Sequence, residues 1–463
     1  MSLLFQKLKN DTRVKRAKKL LKEALLAAQK SIRAVSPADP KRKMAYAECI
    51  QRYSEKTGRN LYFPYFTSGL GRGALVQLAD GSVKYDFISG IGVHYLGHSH
   101  PKILEALIDA SLEDTVMQGN LIQSPIAVEI MDTFLSLARR KGASLKHCFL
   151  SSSGAMANEN ALKIIFHKQT PAPRLLAFKN CFAGRTLVMS QVTDNPENKE
   201  GLPKVIDVDY IPFFDLKRPG ESAQEAVGTL KRCLQEHPGQ YAGMIFELIQ
   251  GEGGFYAGER EFFVSLMKIL KENKIAVMVD EIQTFGRTSE PFAFQYFGLD
   301  EWVDVVTIGK LTHVCATLYR EEYKPKQQII SQTFTAGTSA FYTAKVMLDV
   351  LLKKGLLGKN GRIMKLSEYF VLRLKDISSR HNGVLKGPYG LGAMIGCSVF
   401  DGSAEKSKIF LQELFEAGVV AFVAGRSPVR VRFLMPMGAV TVKDIDTVSK
   451  IIEKTLVKMR YHP

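Results

Sequence analysis

Two short apolar runs in the sequence each close on one charged side chain. Ile275-Ala-Val-Met-Val ends at Asp280, followed by Glu281, Ile282 and Gln283, and Val303-Asp-Val-Val-Thr-Ile-Gly ends at Lys310. Short, β-branched, largely apolar runs of this kind read as buried parallel strands, and open α/β sheets bind ligands at the carboxyl ends of such strands. A carboxylate and a primary amine are therefore expected at one crevice. Each alone has a plain reading: Asp280 as the cap of a following helix, Lys310 as a solvated strand-end lysine. As a pair they suit pyridoxal phosphate. That cofactor needs an amine for a Schiff base and a carboxylate to keep its ring nitrogen protonated, so that the ring can accept electrons.

Three further stretches have the composition of a site. Ser151-Ser-Ser153-Gly154-Ala155 stands between a predicted strand and a predicted helix, where small residues leave backbone amides free for a phosphate. Asn180-Cys-Phe182-Ala-Gly-Arg185 follows the next strand. Phe182 could stack on a planar ring and Arg185 could grip a carboxylate, although a buried Phe and a surface Arg account for the pair equally simply. Glu247-Leu-Ile-Gln-Gly-Glu252-Gly-Gly sets two carboxylates and three glycines at a strand end, which is poor core material. Near the C-terminus, Arg430 and Arg432 fall on one face of an alternating strand, with one arginine expected toward solvent and the other toward a crevice. His94, His98 and His100 invite a metal, but no acidic or cysteine ligand lies near them in sequence, and no metal is expected.

The elements that must position these groups follow a regular alternation. Strands are predicted at 146–151, 174–179, 205–211, 242–248, 275–280 and 303–309, with helices at 155–167, 222–236 and 259–273. Repeated β-α-β units imply a mostly parallel sheet covered on both faces. Residues 74–88 read as a hairpin turning at Ala79-Asp80-Gly81. Beyond residue 340 the pattern changes to helices near 339–355, 361–380, 404–417 and 442–459 with short strands between. The expected organisation is an N-terminal segment (1–75) joining a smaller α+β domain (341–463), beside a large α/β domain (76–340).

The chain has 463 residues, 46% of them hydrophobic, and a formal net charge of +17. Residues 1–45 hold 13 Lys or Arg against 3 Asp or Glu. Such a run can meet nucleic acid or an acidic surface, but no aromatic residues interleave with the lysines, and a solvated helix face is the simpler account. Residues 11–33 are predicted as a helix capped by Asp11 or Thr12, with Val14, Ala17, Leu21, Ala24, Leu25, Ala28 and Ile32 as its apolar stripe. No membrane span or secretory signal is read. An organelle transit peptide is considered for the basic start, but serine is nearly absent there. The six cysteines form no C-x-x-C pair, so a reducing, cytoplasmic setting is expected.

The order and wording of these motifs resemble the class-III (subgroup II) pyridoxal-phosphate aminotransferases, which include acetylornithine, ornithine and 4-aminobutyrate aminotransferases. The resemblance covers about residues 60–460. It rests on Gly90-Ile-Gly-Val through Gly97-His-Ser-His-Pro101, Gly184-Arg-Thr186, Gln250-Gly-Glu-Gly-Gly254, Val279-Asp-Glu-Ile-Gln283 and Val431-Arg-Phe-Leu434. It implies a fold-type I transferase working by a ping-pong mechanism, with an ω-amino acid or related amine as donor and 2-oxoglutarate as acceptor. It also implies that Lys310 is the Schiff-base lysine and proton carrier, Asp280 the partner of the ring nitrogen, and Gln283 the partner of the ring hydroxyl. Ile282 and Phe182 would flank the ring, and Ser153, Gly154 and Ala155 would bind the phosphate. Thr333 would reach the phosphate of a neighbouring subunit, making the active unit a homodimer. Arg185 would hold a donor carboxylate, Arg432 the α-carboxylate of glutamate or 2-oxoglutarate, and Glu252 would mask Arg432 in the other half-reaction. Ile91 would line the substrate pocket, where ornithine aminotransferases tend to carry a tyrosine.

Departures from the family pattern cluster beside these positions. Met156 replaces a glutamate, Ala183 a histidine, and one residue is missing between Thr284 and Phe285. The glycine-rich run expected after the lysine is replaced by Leu311-Thr-His-Val-Cys-Ala-Thr317. An aminomutase or decarboxylase on the same scaffold, or a relative that has lost catalysis, are the alternatives these changes raise. Glu252 together with Arg432 speaks against the aminomutase.

Overall fold

A computed structural model describes residues 3–114, 117–353 and 355–461. The chain forms two compact units. One comprises Met1–Asp114, Lys365–Pro388 and Ile395–Pro463, the other Thr115–Met364 and Tyr389–Met394.

The second unit is built on a seven-stranded sheet. Its strands are β1 (Leu145–Ser151), β2 (Arg174–Phe178), β3 (Asp207–Ile211), β4 (Tyr241–Phe246), β5 (Ala276–Asp280), β6 (Val305–Ile308) and β7 (Cys315–Arg320), in the order β1-β7-β6-β5-β4-β2-β3. Pairings from β6 through β5, β4 and β2 to β3 are parallel. Strands β4, β5 and β6 are buried along their whole length, which is why they read as unbroken apolar runs. The six predicted strands are present, with ends within a few residues of those expected. The seventh, β7, was read as part of an altered loop. It runs antiparallel between β6 and β1, pairing Ile308 with Ala316 and Ser151 with Cys315. A reversal this short is open only to antiparallel strands, because a parallel crossover needs a dozen or more residues.

Helices at Gly154–Gln169 (α1), Pro219–Glu236 and Arg260–Glu272 follow β1, β3 and β4. Phe178 of β2 meets Phe246 of β4 and Phe262 of the last of these helices at ring-centroid distances of 5.1 and 5.7 Å. Each fully buried ring contributes about 2–3 kcal/mol of hydrophobic stabilisation, so this aromatic layer is a main support of the sheet.

In the first unit, the hairpin is formed by Leu75–Leu78 and Val83–Asp86, with Val419–Val420 added in parallel beside the second strand. The N-terminal helix spans Thr12–Gln29, and Asp11 caps it by accepting from the Arg13 amide. Its buried side differs from the predicted stripe: Ile32 is buried, but Ala17, Leu21, Ala24 and Ala28 are exposed. The helix is turned by polar contacts instead. Lys18 and Lys22 reach Asp109 and Glu105 of the helix Pro101–Leu112 at 2.7 and 3.0 Å, and the buried Gln29 donates to the Gly71 and Ser99 carbonyls. Part of the N-terminal charge is thus matched within the unit. Two helices, Leu4–Asn10 and Lys43–Thr57, were not predicted. Among the described residues no helix is long and apolar enough to cross a membrane.

Candidate active site

Strands β5 and β6 run side by side in parallel, with Asp280 opposite Thr307. Lys310 follows after Gly309 and opens a single 3-10 turn, Lys310–Thr312. Its backbone is left-handed, with φ 51°. A non-glycine residue pays about 1–2 kcal/mol for that conformation, and such costs gather at functional sites. Gly309 is required beside it, since a Cβ there would lie 2.7 Å from the Cys315 sulfur.

Asp280 is buried. Its Oδ1 accepts from the Ile282 amide at 2.9 Å and its Oδ2 from Asn158 Nδ2 at 2.8 Å. Burial pushes its pKa up to about 6, against the pull of those two donors and of the Lys310 charge. A buried carboxylate raised in this way is completed by a cation, and a protonated pyridine nitrogen is one. Asn158, to which the sequence reading gave no role, is central to the arrangement. It also donates to the Ala183 carbonyl at 2.8 Å and accepts from Thr307 Oγ1 at 2.8 Å. One amide therefore joins α1, the loop after β2 and the ends of both central strands. A buried asparagine in an otherwise small and apolar helix turn was the available signal.

Around this pair stand the groups suited to a flat, phosphorylated ring. Helix α1 begins at Gly154 with Ser153 as its cap, the Ser153 hydroxyl accepting from the Met156 amide at 3.3 Å. The amides of a helix's first turn have no partner within the helix and attract phosphate oxygens. A Cβ on Gly154 would come within 2.9 Å of the Ile282 side chain, which places the α1 start against that residue. Gln283 is buried, and a Cβ on Gly251 would approach its amide to 2.5 Å. Phe182 is half-buried, and its amide donates to Glu247 Oε2 at 2.8 Å. The exposed Arg185 sits 5.8 Å from the Phe182 ring centre and donates to Asn198 Oδ1 at 2.9 Å. Glu252 is half-buried in the glycine-rich turn after Gln250.

The second unit thus brings together Lys310, Asp280, Ile282, Gln283, Ser153, Gly154, Ala155, Phe182, Arg185 and Glu252. Thr333 belongs to the same unit and is exposed. Its carbonyl packs so tightly on Gly119 that a Cβ there would lie 1.9 Å away. Ile91 and Arg432 belong to the first unit. Ile91 adopts φ 60° and ψ 47° directly after the left-handed Gly90. Asp86 accepts from the Ile88 and Ser89 amides that enter this turn and from His98 Nε2 at 2.9 Å, and His100 caps the helix beginning at Pro101. Arg430 and Arg432 are both buried, correcting the expectation that one of them faces solvent. The physical reason is that their strand is interior, flanked by Met394–Val399 and Phe422–Ala424. Arg432 lies 5.6 Å from the Phe422 ring centre.

Residues 53–456 match the family model of the class-III aminotransferases. The chain belongs to that family. This class-III aminotransferase is 25% identical over 401 residues to the acetylornithine aminotransferase of Methanocaldococcus jannaschii, covering 84% of the chain and 93% of the relative. It is 30% identical over 391 residues to that of Archaeoglobus fulgidus, covering 82% and 93%. A succinylornithine transaminase of Yersinia pseudotuberculosis is 28% identical over 382 residues, covering 78% of the chain and 85% of the relative. Among solved structures, a Bacillus anthracis aminotransferase superposes with a TM-score of 0.80 at 17% identity over 91% of the chain and 99% of that structure. The lysine aminotransferase of M. tuberculosis superposes with a TM-score of 0.77 at 23% identity over 88% and 99%. The chain has the mixed α/β architecture of fold-type I, is a transaminase, and takes pyridoxal phosphate as its cofactor.

Proposed function

We propose that this aminotransferase moves the ω-amino group of an amino acid, such as an N-acylated ornithine, to 2-oxoglutarate in two alternating half-reactions. Buried Asp280, raised by desolvation and acted on by the Lys310 charge, is the observation that carries this reading. Pyridoxal phosphate, when bound, supplies an electron sink conjugated to the donor nitrogen. Asp280 keeps a proton on the ring nitrogen, and Asn158 holds Asp280 in place. Lys310 carries a proton to and from the amine-bearing carbon of the substrate. Ile282 and Phe182 flank the ring and exclude water, Gln283 meets its hydroxyl, and the amides at Gly154 and Ala155 hold the phosphate with the Ser153 hydroxyl near them. Arg185 orients the donor's carboxylate. Arg432 takes the acceptor's α-carboxylate, Glu252 offsets its charge in the other half-reaction, and Ile91 limits the donor's shape.

The relatives' donors support the substrate class, since acetylornithine and succinylornithine both present a free ω-amine beside a blocked α-amine. Exposed Thr333 supports a homodimer in which each subunit completes its neighbour's phosphate site. All six cysteines are free thiols, which supports a cytoplasmic setting. No partner other than substrate and a second copy is proposed, neither membrane nor nucleic acid.

The test is a single-turnover screen. Purified enzyme is mixed with one amine at a time, and the visible absorbance of the bound cofactor is followed. Bleaching by an N-acylated ornithine, reversed by 2-oxoglutarate and absent in Lys310→Ala, is expected. A protein that binds cofactor but exchanges no amino group with any donor or with glutamate would overturn the reading in favour of lost catalysis.

A further inference from the structure

Glu247 has no role in the scheme above, yet it is a buried carboxylate beside the site. It follows β4 directly, and its two oxygens serve two different loops. Oε2 accepts from the Phe182 amide at 2.8 Å, and Oε1 accepts from the Gly251 amide at 3.0 Å. Phe182 is the residue that flanks the cofactor ring. Gly251 precedes Glu252 and packs on Gln283. The two loops are also tied by Gln250 Nε2 donating to the Lys179 carbonyl at 2.7 Å, and by close approach of Gly253, where a Cβ would sit 2.7 Å from the Asn180 carbonyl. Asn180 and Phe255, near the outer ends of these segments, both have left-handed backbones with φ 59° and 58°. A segment strained in this way keeps its shape only where surrounding bonds over-determine it. Among these ties, Glu247 supplies the ionisable one.

We propose that Glu247 is a positioning residue that clamps the Phe182 loop to the Glu252 loop, so that the ring-flanking surface and the acid that offsets the acceptor's arginine are held as one body. This deepens the reading above and rests on it for the roles of Phe182 and Glu252. The clamp's strength depends on charge. A carboxylate accepting two backbone N–H groups binds them more tightly than a neutral acid does. Burial first, and then the neighbouring carboxylates Asp280 and Glu252, push Glu247 up to about 8, while the Phe182 and Gly251 amides pull it down. The nearby Cys181 thiol is itself pushed up, by burial first and by Glu247 among the charges acting on it. A positive ring nitrogen beside Asp280 offsets that carboxylate's charge, so cofactor binding favours the ionised, tightly clamping form of Glu247.

The experiment compares full-length wild type with Glu247→Gln and Glu247→Ala. Glu247→Gln retains a single acceptor oxygen and cannot ionise; Glu247→Ala retains nothing. Hydrogen exchange at the Phe182 and Gly251 amides is expected to accelerate on the order of tenfold or more in Glu247→Ala and less in Glu247→Gln, with β4 amides unchanged. In the cofactor-loaded proteins, kcat/KM should fall for donor and acceptor alike. The wild-type dependence on a group that must be deprotonated, seen where the half-reaction rate rises with pH, should vanish in Glu247→Gln. Unchanged exchange at the two amides overturns the clamp even where transamination stands. So does a loss in both variants that is confined to melting temperature, with the pH profile and the donor and acceptor KM values kept. Accelerated exchange in a protein that transfers no amino group sustains the clamp and overturns the functional reading alone.

Discussion

Asn158 Nδ2 lies 2.8 Å from Asp280 Oδ2, and the same side chain accepts from Thr307 Oγ1 at 2.8 Å. The asparagine therefore holds the carboxylate in place and favours its ionised form against the effect of burial. Asn158→Ala removes a hydrogen-bond donor to a buried anion, leaving the Ile282 amide, a loss of about 1.5–3 kcal/mol. Cofactor affinity and kcat/KM are expected to fall roughly tenfold or more, measured by absorbance titration and steady-state rates. Asn158→Asp, which sets a second carboxylate against Asp280, should be worse than alanine.

The buried acids also predict how the cofactor-free chain responds to pH. Asp280, Glu281 and Glu247 are pushed up to about 6, 7 and 8, in each case chiefly by burial. An acid whose folded pKa lies above its unfolded value binds more protons in the native state, so stability falls as pH rises between those two values. The cofactor-free protein should melt at a higher temperature near pH 6 than near pH 8.5. Bound cofactor should flatten the part of the slope below about pH 6, because a ring nitrogen beside Asp280 favours its ionised form. A thermal melt series with and without pyridoxal phosphate measures both.

The shared-site reading of Thr333 can be checked by mixing. Lys310→Ala and Thr333→Ala homodimers should each be impaired, the first beyond about a thousandfold and the second about tenfold. Mixed dimers carry one site with both side chains intact, so exchanging subunits should restore that site's activity toward the wild-type level. No restoration in a verified heterodimer would place Thr333 within its own subunit's site.

In the first unit, Asp86 anchors the left-handed turn at Gly90 and Ile91 through the Ile88 and Ser89 amides and His98. Burial acts to raise its pKa, but the His98 hydrogen bond and charge, the His94 charge and the Ser89 amide outweigh that and hold it below the ordinary carboxylate value. A depressed acid contributes stability above its unfolded pKa and loses it as pH falls through the folded one. Asp86→Asn should cost about 1–3 kcal/mol at neutral pH and remove the acid-side fall in stability. Chemical denaturation at neutral and mildly acid pH checks it. If Ile91 lines the donor pocket as proposed, selectivity among donors should loosen in the same variant.

Gly119 provides a steric test of the same phosphate-site reading. A Cβ there would meet the Thr333 carbonyl at 1.9 Å, and backbone cannot yield as a side-chain tip can. Gly119→Ala should weaken cofactor binding about as much as Thr333→Ala while leaving the fluorescence and melting of the central sheet near wild type.

The placement of the central pair was legible because it is local. Asp280 and Lys310 each end a strand whose apolar, β-branched run announces burial, and Gly154 opens a helix directly after another such strand. Parallel pairing then puts Asp280 opposite Thr307 with no further information needed. Contacts between distant segments left no such trace. Asn158 reaches Asp280 across 122 positions and Thr307 across 149. Strand β7 was hidden because Cys315–Arg320 follows Lys310 after a single short turn, with no turn signal such as glycine or proline to mark where a new strand begins.

From types and spacing alone followed a mostly parallel α/β sheet, a lysine–carboxylate pair at its strand ends, and the resemblance of the motifs to class-III aminotransferases. Periodicity and strand-end composition are properties of contiguous residues, so they can be read without coordinates. Tertiary structure decided what burial does to charge. It showed Arg430 and Arg432 both buried in an interior strand, turned the N-terminal helix onto Asp109 and Glu105 instead of its alanine stripe, and made Glu247 the buried acid joining two loops. Those outcomes depend on which surfaces close over which groups, and desolvation is a property of the assembled fold.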